Sequence, residues 1–452
     1  MDRLSMPSPA KTPFFLFLGD TDRDGATSKL KATGVEYRKK RLESKVENWV
    51  LILEIMESSD LIGTLGKLTN TTYELLSRPE YSEIVAKLLE RMKHTPYILF
   101  AHESLLTGVP STTQQSEEND EFFDMASYFS PPSEAALSHA AKLFEEHEIV
   151  VTPYKTNAEL SVLTSSFIDQ NEKNLVFRIY IPSGRMWATE AEKLLQLFRD
   201  YLNRVSGLRV SHEQYSTKQG VVHEFFADRN FDPSALASEF TQFTETFDLA
   251  LSEPNRAVAL LAARNVDKST VQGIVDKYSK EARRLHIDLK QERERRLLSI
   301  RHRMEEELTD IADPESWNVI YHLIDSSVPA IAGVSSAVGA ISRSSASAPS
   351  ISIDYRPQII QSVTGIVAQE ISGNTQIGPE ASQLLEMIQA HGGSRTAELT
   401  SSVYELIDPD ARKQDRLSAK QKLKAFLIGA GKKLGDVAAG VLQAYIEKQI
   451  GL

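Results

Sequence analysis

Residues 14–25, FFLFLGDTDRDG, carry five consecutive apolar residues directly before three aspartates at alternate positions and a glycine. A short apolar run bounded by turn residues predicts a buried strand at Phe14–Leu18. The aspartates and the glycine match the start of an EF-hand calcium loop, but position 12 is Lys31 instead of a bidentate glutamate. A strand also precedes the loop where a helix should. We therefore expect a turn at the end of a sheet strand, with aspartate side chains capping the backbone.

The turn has a second interpretation if the strands form an open parallel sheet, because such sheets bind ligands at the carboxyl ends of their strands. Asp20 and Asp22 follow the first predicted strand, and Glu103 follows a later one, ILFAH. Three carboxylates that meet there would suit Mg²⁺ or Ca²⁺ and a reaction on a phosphate or nucleotide. This metal site is an alternative to the plain turn. No other cofactor is predicted.

Two further strand ends offer candidates for binding an anion or phosphate. Lys155 follows the predicted strand at residues 148–154, and Ser183, Gly184 and Arg185 form a short loop after the strand at residues 174–182. A loop between a strand and a helix exposes backbone N–H groups that can hold an anion. Residues 189–192, TEAE, match a capping box that would start that helix. The competing interpretation is a tight turn with a surface arginine.

The pattern of the first half predicts an α/β or α+β fold in which helices cover a sheet. Residues 1–110 alternate strands with helices, including a helix at residues 36–58 and a strand at residues 95–103. Residues 111–132 are rich in serine, proline and acids, which is typical of a linker or mobile loop. Residues 133–230 form a second α/β or α+β subdomain that ends in a β-hairpin turning at residues 218–220.

The second half is predicted to be all α-helical. Residues 232–325 contain a long charged helix at residues 267–310, and its apolar positions follow coiled-coil-like heptad spacing. A stripe of this length needs a partner, either another helix of the chain or a second copy. Residues 326–452 hold a Ser/Ala/Gly-rich segment followed by C-terminal helices.

Two segments of the second half suggest partners. Residues 283–303 are rich in lysine and arginine and suit either a salt-bridged surface or contact with a nucleic-acid backbone. Residues 420–452 predict a basic amphipathic helix with a strip of small residues, which suits packing in the protein, self-association or conditional membrane binding. The residues proposed for this helix contact are Leu427, Gly431, Gly435 and Ala438.

Composition narrows the function classes. The 452 residues include no cysteine, which excludes disulfides, thiolate metal sites and cysteine nucleophiles. The net charge of −11 argues against general coating of DNA. The sequence contains no GxGxxG, P-loop, HExxH or GxSxG motif, so catalysis is not favoured. We expect a cytoplasmic protein, most simply a bacterial one.

Three hypotheses of function follow. The first is a multi-domain interaction or regulatory protein that self-associates through its helices, senses a ligand or protein partner, and would suit bacterial stress response or antiviral defence. The second is a metal-dependent enzyme acting on a nucleotide or phosphate. The third is a conditional membrane effector that uses residues 326–342 and 420–452.

Overall fold

A computed structural model describes most of the chain in ten segments. They are residues 12–19, 27, 30–31, 34–107, 131–228, 235–264, 266–308, 314–328, 377–434 and 436–449. The predicted linker at residues 111–132 and almost all of the Ser/Ala/Gly-rich segment at residues 326–342 lie outside them.

The described segments form eight strands and fifteen α-helices. The strands are β1 (Phe14–Leu18), β2 (Glu36–Lys40), β3 (Leu61–Leu68), β4 (Tyr97–His102), β5 (Val151–Tyr154), β6 (Leu175–Pro182), β7 (Val210–Ser216) and β8 (Gly220–Ala227). The helices are α1 (Val46–Met56), α2 (Asn70–Leu76), α3 (Ser82–Lys93), α4 (Glu103–Thr107), α5 (Glu134–Glu146), α6 (Asn157–Glu172), α7 (Ala188–Arg204), α8 (Ala235–Ser252), α9 (Pro254–Ala262), α10 (Lys268–Leu308), α11 (Pro314–Ser327), α12 (Pro379–His391), α13 (Thr396–Ile407), α14 (Lys413–Leu434) and α15 (Asp436–Lys448).

The chain divides into two compact units. Unit 1 combines residues 1–173 with residues 413–452, and unit 2 is the continuous stretch 174–412. One boundary therefore falls inside the predicted subdomain 133–230, and the C-terminal helices belong to the unit that contains the N-terminus. The predicted mixed α/β first half and mainly helical second half are confirmed at this coarse level.

Unit 1 is built on a five-stranded parallel sheet in the order β2-β1-β3-β4-β5. The predicted first strand is β1, and all five of its side chains are buried because helices cover both faces of the sheet. Helices α1, α2, α3 and α5 pack on one face with Leu16 and Leu18. On the other face, α6 packs against Phe15 and Phe17 through Ile168, and α14 adds Leu417 beside α6 and β5.

The sheet corrects one sequence prediction in unit 1 and contains one strand that was not predicted. Residues 36–58 were expected to form one helix, but Glu36–Lys40 is the edge strand β2, and α1 begins at Val46. An edge strand with solvent-facing charged residues lacks the apolar pattern of a buried strand. The strand β3 was not predicted, because Gly63 and Gly66 interrupt its apolar run. A Cβ atom at Gly66 would lie 2.6 Å from the buried Leu99 Cδ1, so a larger residue there would force the Leu99 side chain to move.

Unit 2 contains a three-stranded antiparallel sheet in the order β6-β8-β7, and β7 and β8 form the predicted hairpin. Its core is mainly helical. The apolar stripe of α10, from Val271 to Leu308, is buried in the same cluster as residues of α7, α8, α9 and α11. The long helix therefore finds its packing partners inside unit 2.

The start of α7 differs from the predicted capping box. Trp187 precedes the helix in the left-handed conformation, with φ of 66°, and no side chain caps the helix. The Trp187 indole Nε1 instead donates to the Leu289 carbonyl of α10 at 3.1 Å. Packing of a buried tryptophan thus fixes where this helix begins.

Among the helices that the structure describes, none is long and apolar enough to cross a bilayer.

Candidate functional site

The order of the strands in unit 1 creates a topological switch point between β1 and β3. The chain runs from β1 outward to β2 and then returns to β3 on the other side of β1. Ligands of open parallel sheets bind in the crevice at such a point, outside the carboxyl ends of the strands. The residues that follow β1, β3, β4 and β5 therefore define the candidate site.

Gly19 begins the loop after β1 at this crevice. Its φ is +84°, and a Cβ atom would lie 2.8 Å from the Lys67 carbonyl oxygen near the end of β3. Its N–H donates to the Lys40 carbonyl of β2 at 2.9 Å. Only glycine fits this position without strain, because the chain turns in a left-handed conformation against the neighbouring backbone. The first residue of GDTDRDG therefore lies directly at the switch point.

A buried ion-pair network follows β4. Glu103, the first residue after β4, contacts the ammonium group of Lys424 of α14. Lys424 Nζ also lies 3.1 Å from Glu447 Oε1 of α15, and its side chain is only 1% exposed. Burial raises the pKa of Glu447, but the Lys424 ammonium outweighs this effect and holds the pKa below its usual value. A cation from the C-terminal helices is thus fixed at the carboxyl end of the sheet.

A second pair follows β5. The Nζ atom of Lys420, also in α14, lies 3.0 Å from Glu159 Oε1. The other oxygen of Glu159 accepts the backbone N–H groups of Lys155 at 2.8 Å and Thr156 at 3.4 Å, which forms a capping box at the start of α6. Burial opposes ionisation of Glu159, yet the Lys155 N–H and the Lys420 ammonium keep its pKa lowered.

Buried aromatic and basic side chains complete this edge. His102 Nδ1 lies 2.7 Å from Ser104 Oγ, and its ring is 5.4 Å from that of Tyr154. Burial lowers the pKa of the His102 imidazole, which favours the neutral form. Lys67 is also buried, and its ammonium lies 5.6 Å from the centre of the Tyr154 ring. The edge therefore combines ion-paired lysines, the buried Lys67 ammonium group and an imidazole whose neutral form is favoured by burial.

The proposed metal ligands are only partly placed by the structure. Asp20 and Asp22 lie outside the described residues. Glu103 does lie at the carboxyl edge, as expected, but its charge is matched by Lys424. Within the described segments, no group of three His, Asp or Glu side chains is arranged to hold a metal ion. Lys155 lies at the same edge and contributes its backbone N–H to Glu159.

The other anion candidates belong to unit 2 and to a different sheet. Ser183 follows β6, and its N–H donates to the Gln219 carbonyl of the β7–β8 turn at 2.7 Å. The Gly184 carbonyl accepts from Arg296 at 2.5 Å. Arg185 is buried, with its guanidinium 5.2 Å from the centre of the Tyr404 ring, and burial lowers the pKa of the guanidinium. Arg185 is therefore packed into unit 2 instead of standing on a surface loop.

The residues proposed for a helix contact lie on the C-terminal helix pair. Leu427 of α14 is 2% exposed within unit 1. Gly431 lies in α14 and Ala438 in α15, but their side chains, together with Gly435, are outside the described part of the structure. Helix α14 packs against α15, β5 and α6. The described part of residues 420–452 is thus packed within unit 1.

The basic segment 283–303 makes several ion pairs within unit 2. Arg296 contacts Glu292 at 2.7 Å, and Arg301 contacts Asp325 at 2.9 Å. These pairs are the salt-bridged arrangement that was one of the two expectations for the segment.

Sequence reasoning missed Lys420 and Lys424 as site residues. The C-terminal segment drew attention by its apolar seam and its glycines, and the lysines were counted only as positive charge. The available signal was their spacing, since positions four apart share one face of a helix with Leu417.

Comparisons of the chain with protein-family models, with curated proteins and with solved structures find no match.

Proposed function

We propose that the protein is a regulatory protein whose unit 1 binds a phosphate-bearing small molecule at the carboxyl edge of its parallel sheet. The observation that carries the proposal is the pair of lysines from α14. Lys420 is held by Glu159 in the first turn of α6, and Lys424 is held by Glu103 directly after β4. This form of the first hypothesis makes α14 the element that responds to the ligand.

The ion pairs explain why the ligand should be an anion. Removing an ammonium group from water costs several kcal/mol, which nearby carboxylates only partly return. A phosphate offers more negative charge and more acceptor oxygens than one carboxylate. A phosphate group at the crevice would therefore compete with Glu103 and Glu159 for the same ammonium groups.

The response of α14 follows from the same competition. A ligand shifts a conformational equilibrium only by the difference between its affinities for the two states. Here that difference would come from lysines exchanging carboxylate partners for phosphate oxygens. Since α14 and α15 pack as a pair and share Lys424, the exchange would loosen or reposition both helices. A partner protein could then recognise the altered pair.

The test combines native mass spectrometry of the purified protein with calorimetric titration of ATP and inorganic phosphate. We expect a bound or titratable phosphate compound, and Lys420→Met or Lys424→Met should weaken its binding by about 10-fold or more, the value of a charge-assisted hydrogen bond. Lys422→Met on the same helix is the matched control and should bind normally. Absence of any phosphate compound in both measurements would refute the proposal. Titration with Mg²⁺ alone tests the metal-dependent alternative.

Self-association of the chain is a second candidate, because α10 keeps two large apolar side chains on its surface. Ile287 is 48% exposed and Leu298 is 66% exposed. Their separation of eleven residues corresponds to about three helical turns, which puts them on one face. We expect a second copy of the chain to cover this face. Light scattering after size exclusion should show a dimer that Leu298→Lys dissociates and Leu251→Lys leaves intact; a monomeric parent protein would contradict this.

A further inference from the structure

Gln421 is buried on α14 between the two lysines of the candidate site. Its side chain is 1% exposed, and neither the amide Oε1 nor the Nε2 has a hydrogen-bond partner within the described part of the chain. A buried amide without partners costs about 1–3 kcal/mol compared with a paired one. A leucine would fill such a position without this cost, so the amide calls for another explanation.

The geometry of the helix directs Gln421 toward the sheet. Positions 417, 420, 421 and 424 share one helical face. On that face, Leu417 packs with Phe100 and Tyr154, while Lys420 and Lys424 reach the residues that follow β5 and β4. Arg416 bonds to the Gln449 carbonyl of unit 1 beyond α15 at 2.6 Å, and it is turned about 140° from Gln421. The amide therefore lies on the side of α14 that faces β5 and α6.

We propose that Gln421 recognises the edge of an adenine base and that the ligand of unit 1 is an adenine nucleotide. This inference rests on the proposed function, because the flanking lysines would bind the phosphate. A glutamine amide supplies one acceptor next to one donor. Adenine presents the complementary pair, its N6 amino group and its N7 ring nitrogen, and glutamine binds this edge through two hydrogen bonds. Guanine presents two acceptors, N7 and O6, so one side of the amide would meet a mismatch.

Binding of the base would thus give the amide the two hydrogen bonds that it lacks among the described residues. A site built around a hydrogen-bonding group discriminates strongly against ligands that lack the matching group, because the amide then remains unpaired. In the free protein the unpaired amide is destabilising, and hydrogen bonds to the base would remove this destabilisation in the complex. Discrimination between adenine and other bases would follow from one side chain.

The experiment compares AMP, GMP and ribose 5-phosphate by calorimetry, because all three carry one phosphate. We expect AMP to bind at least about 10-fold more tightly than the other two. Gln421→Leu and Gln421→Met should bring AMP to within about threefold of ribose 5-phosphate, while the affinity for ribose 5-phosphate stays unchanged. Gln414→Leu, an exposed glutamine of the same helix, is the control and should keep the preference.

Two further outcomes separate the inference from the proposed function. If ribose 5-phosphate and AMP bind equally to the parent protein, the base is not recognised and the inference is wrong, while the phosphate site stands. If neither binds, both proposals fail. The thermal midpoint of the free protein gives an independent readout: Gln421→Leu should leave it unchanged or raise it, and a clear decrease would show that the amide has a structural partner.

Discussion

Replacing Lys424 by methionine should destabilise unit 1 without leaving a large cavity. The methionine keeps most of the aliphatic stem, but Glu103 loses its partner while its side chain is only 14% exposed. Removing one member of a buried ion pair typically costs about 3–5 kcal/mol, because the remaining charge is left uncompensated. We expect a loss near the lower end, about 3 kcal/mol in the free energy of unfolding, because Glu103 retains some contact with water.

Hydrogen exchange followed by mass spectrometry measures this loss where it should occur. Peptides from α14 and β4 should exchange about 100-fold faster in Lys424→Met at neutral pH, the equivalent of about 3 kcal/mol. A second substitution, Glu103→Gln, removes the uncompensated charge and should restore most of the protection. Lys422→Met on the same helix is the matched control and should exchange like the parent protein.

The pH dependence has a defined sign. The pKa of Glu447 is lowered in the folded protein, so its ionised form stabilises the fold above its unfolded pKa of about 4.3. This contribution disappears as the pH falls through the lowered folded value. The difference between parent and Lys424→Met should therefore shrink below pH about 4. If the protection of Lys424→Met at pH 7 lies within about 0.5 kcal/mol of the parent protein, the assigned ion-pair network is wrong. The network is also wrong if adding Glu103→Gln restores no protection.

Two further substitutions test packing and titration. Gly66→Ala should lower the free energy of unfolding by about 1–3 kcal/mol because its Cβ would meet Leu99, whereas Gly429→Ala, on the open surface of α14, should raise it by about 0.5–1 kcal/mol; urea denaturation measures both. Burial lowers the pKa of His223 to about 4 from a usual 6.5, so unit 2 should lose up to about 3 kcal/mol as the pH falls from 6.5 to 4. His223→Phe should remove that loss and the exposed His286→Phe should keep it; equal pH profiles for all three proteins would contradict the buried imidazole.

The strands of unit 1 show which kinds of pattern a sequence reveals. Phe14–Leu18 was predicted because a strand buried on both faces becomes a continuous apolar run. Glu36–Lys40 was not, because a charged strand at the edge of a sheet is held by backbone pairing to β1 rather than by its side chains. The heptad spacing of α10 correctly indicated a long helix, but spacing alone does not tell whether the partner is in the same chain or in another copy.

The candidate site was predictable only on the sheet side. Glu103 stood out because a carboxylate directly after a strand is the residue that a parallel sheet brings to its ligand-binding edge. Its partner Lys424 lies 321 residues further along, and no local pattern connects the two. A helix that carries lysines and a glutamine on its buried face violates the usual apolar stripe. That violation was the signal available in residues 417–424, because buried polar groups require partners.

The charges at the edge of the sheet also bear on the metal-site interpretation of GDTDRDG, residues 19–25. Asp20 and Asp22 were two ligands of the alternative metal site, and Glu103 was its expected third ligand. The structure gives that carboxylate a buried ammonium group as its partner, and it adds the ammonium groups of Lys67 and Lys420 at the same edge. A divalent cation bound to Glu103 would place a second positive charge beside the Lys424 ammonium, which would keep only Glu447 as its partner. A phosphate would place negative charge among these ammonium groups. The ion pairs of the described edge therefore support the proposed anionic ligand rather than a cation bound to Glu103.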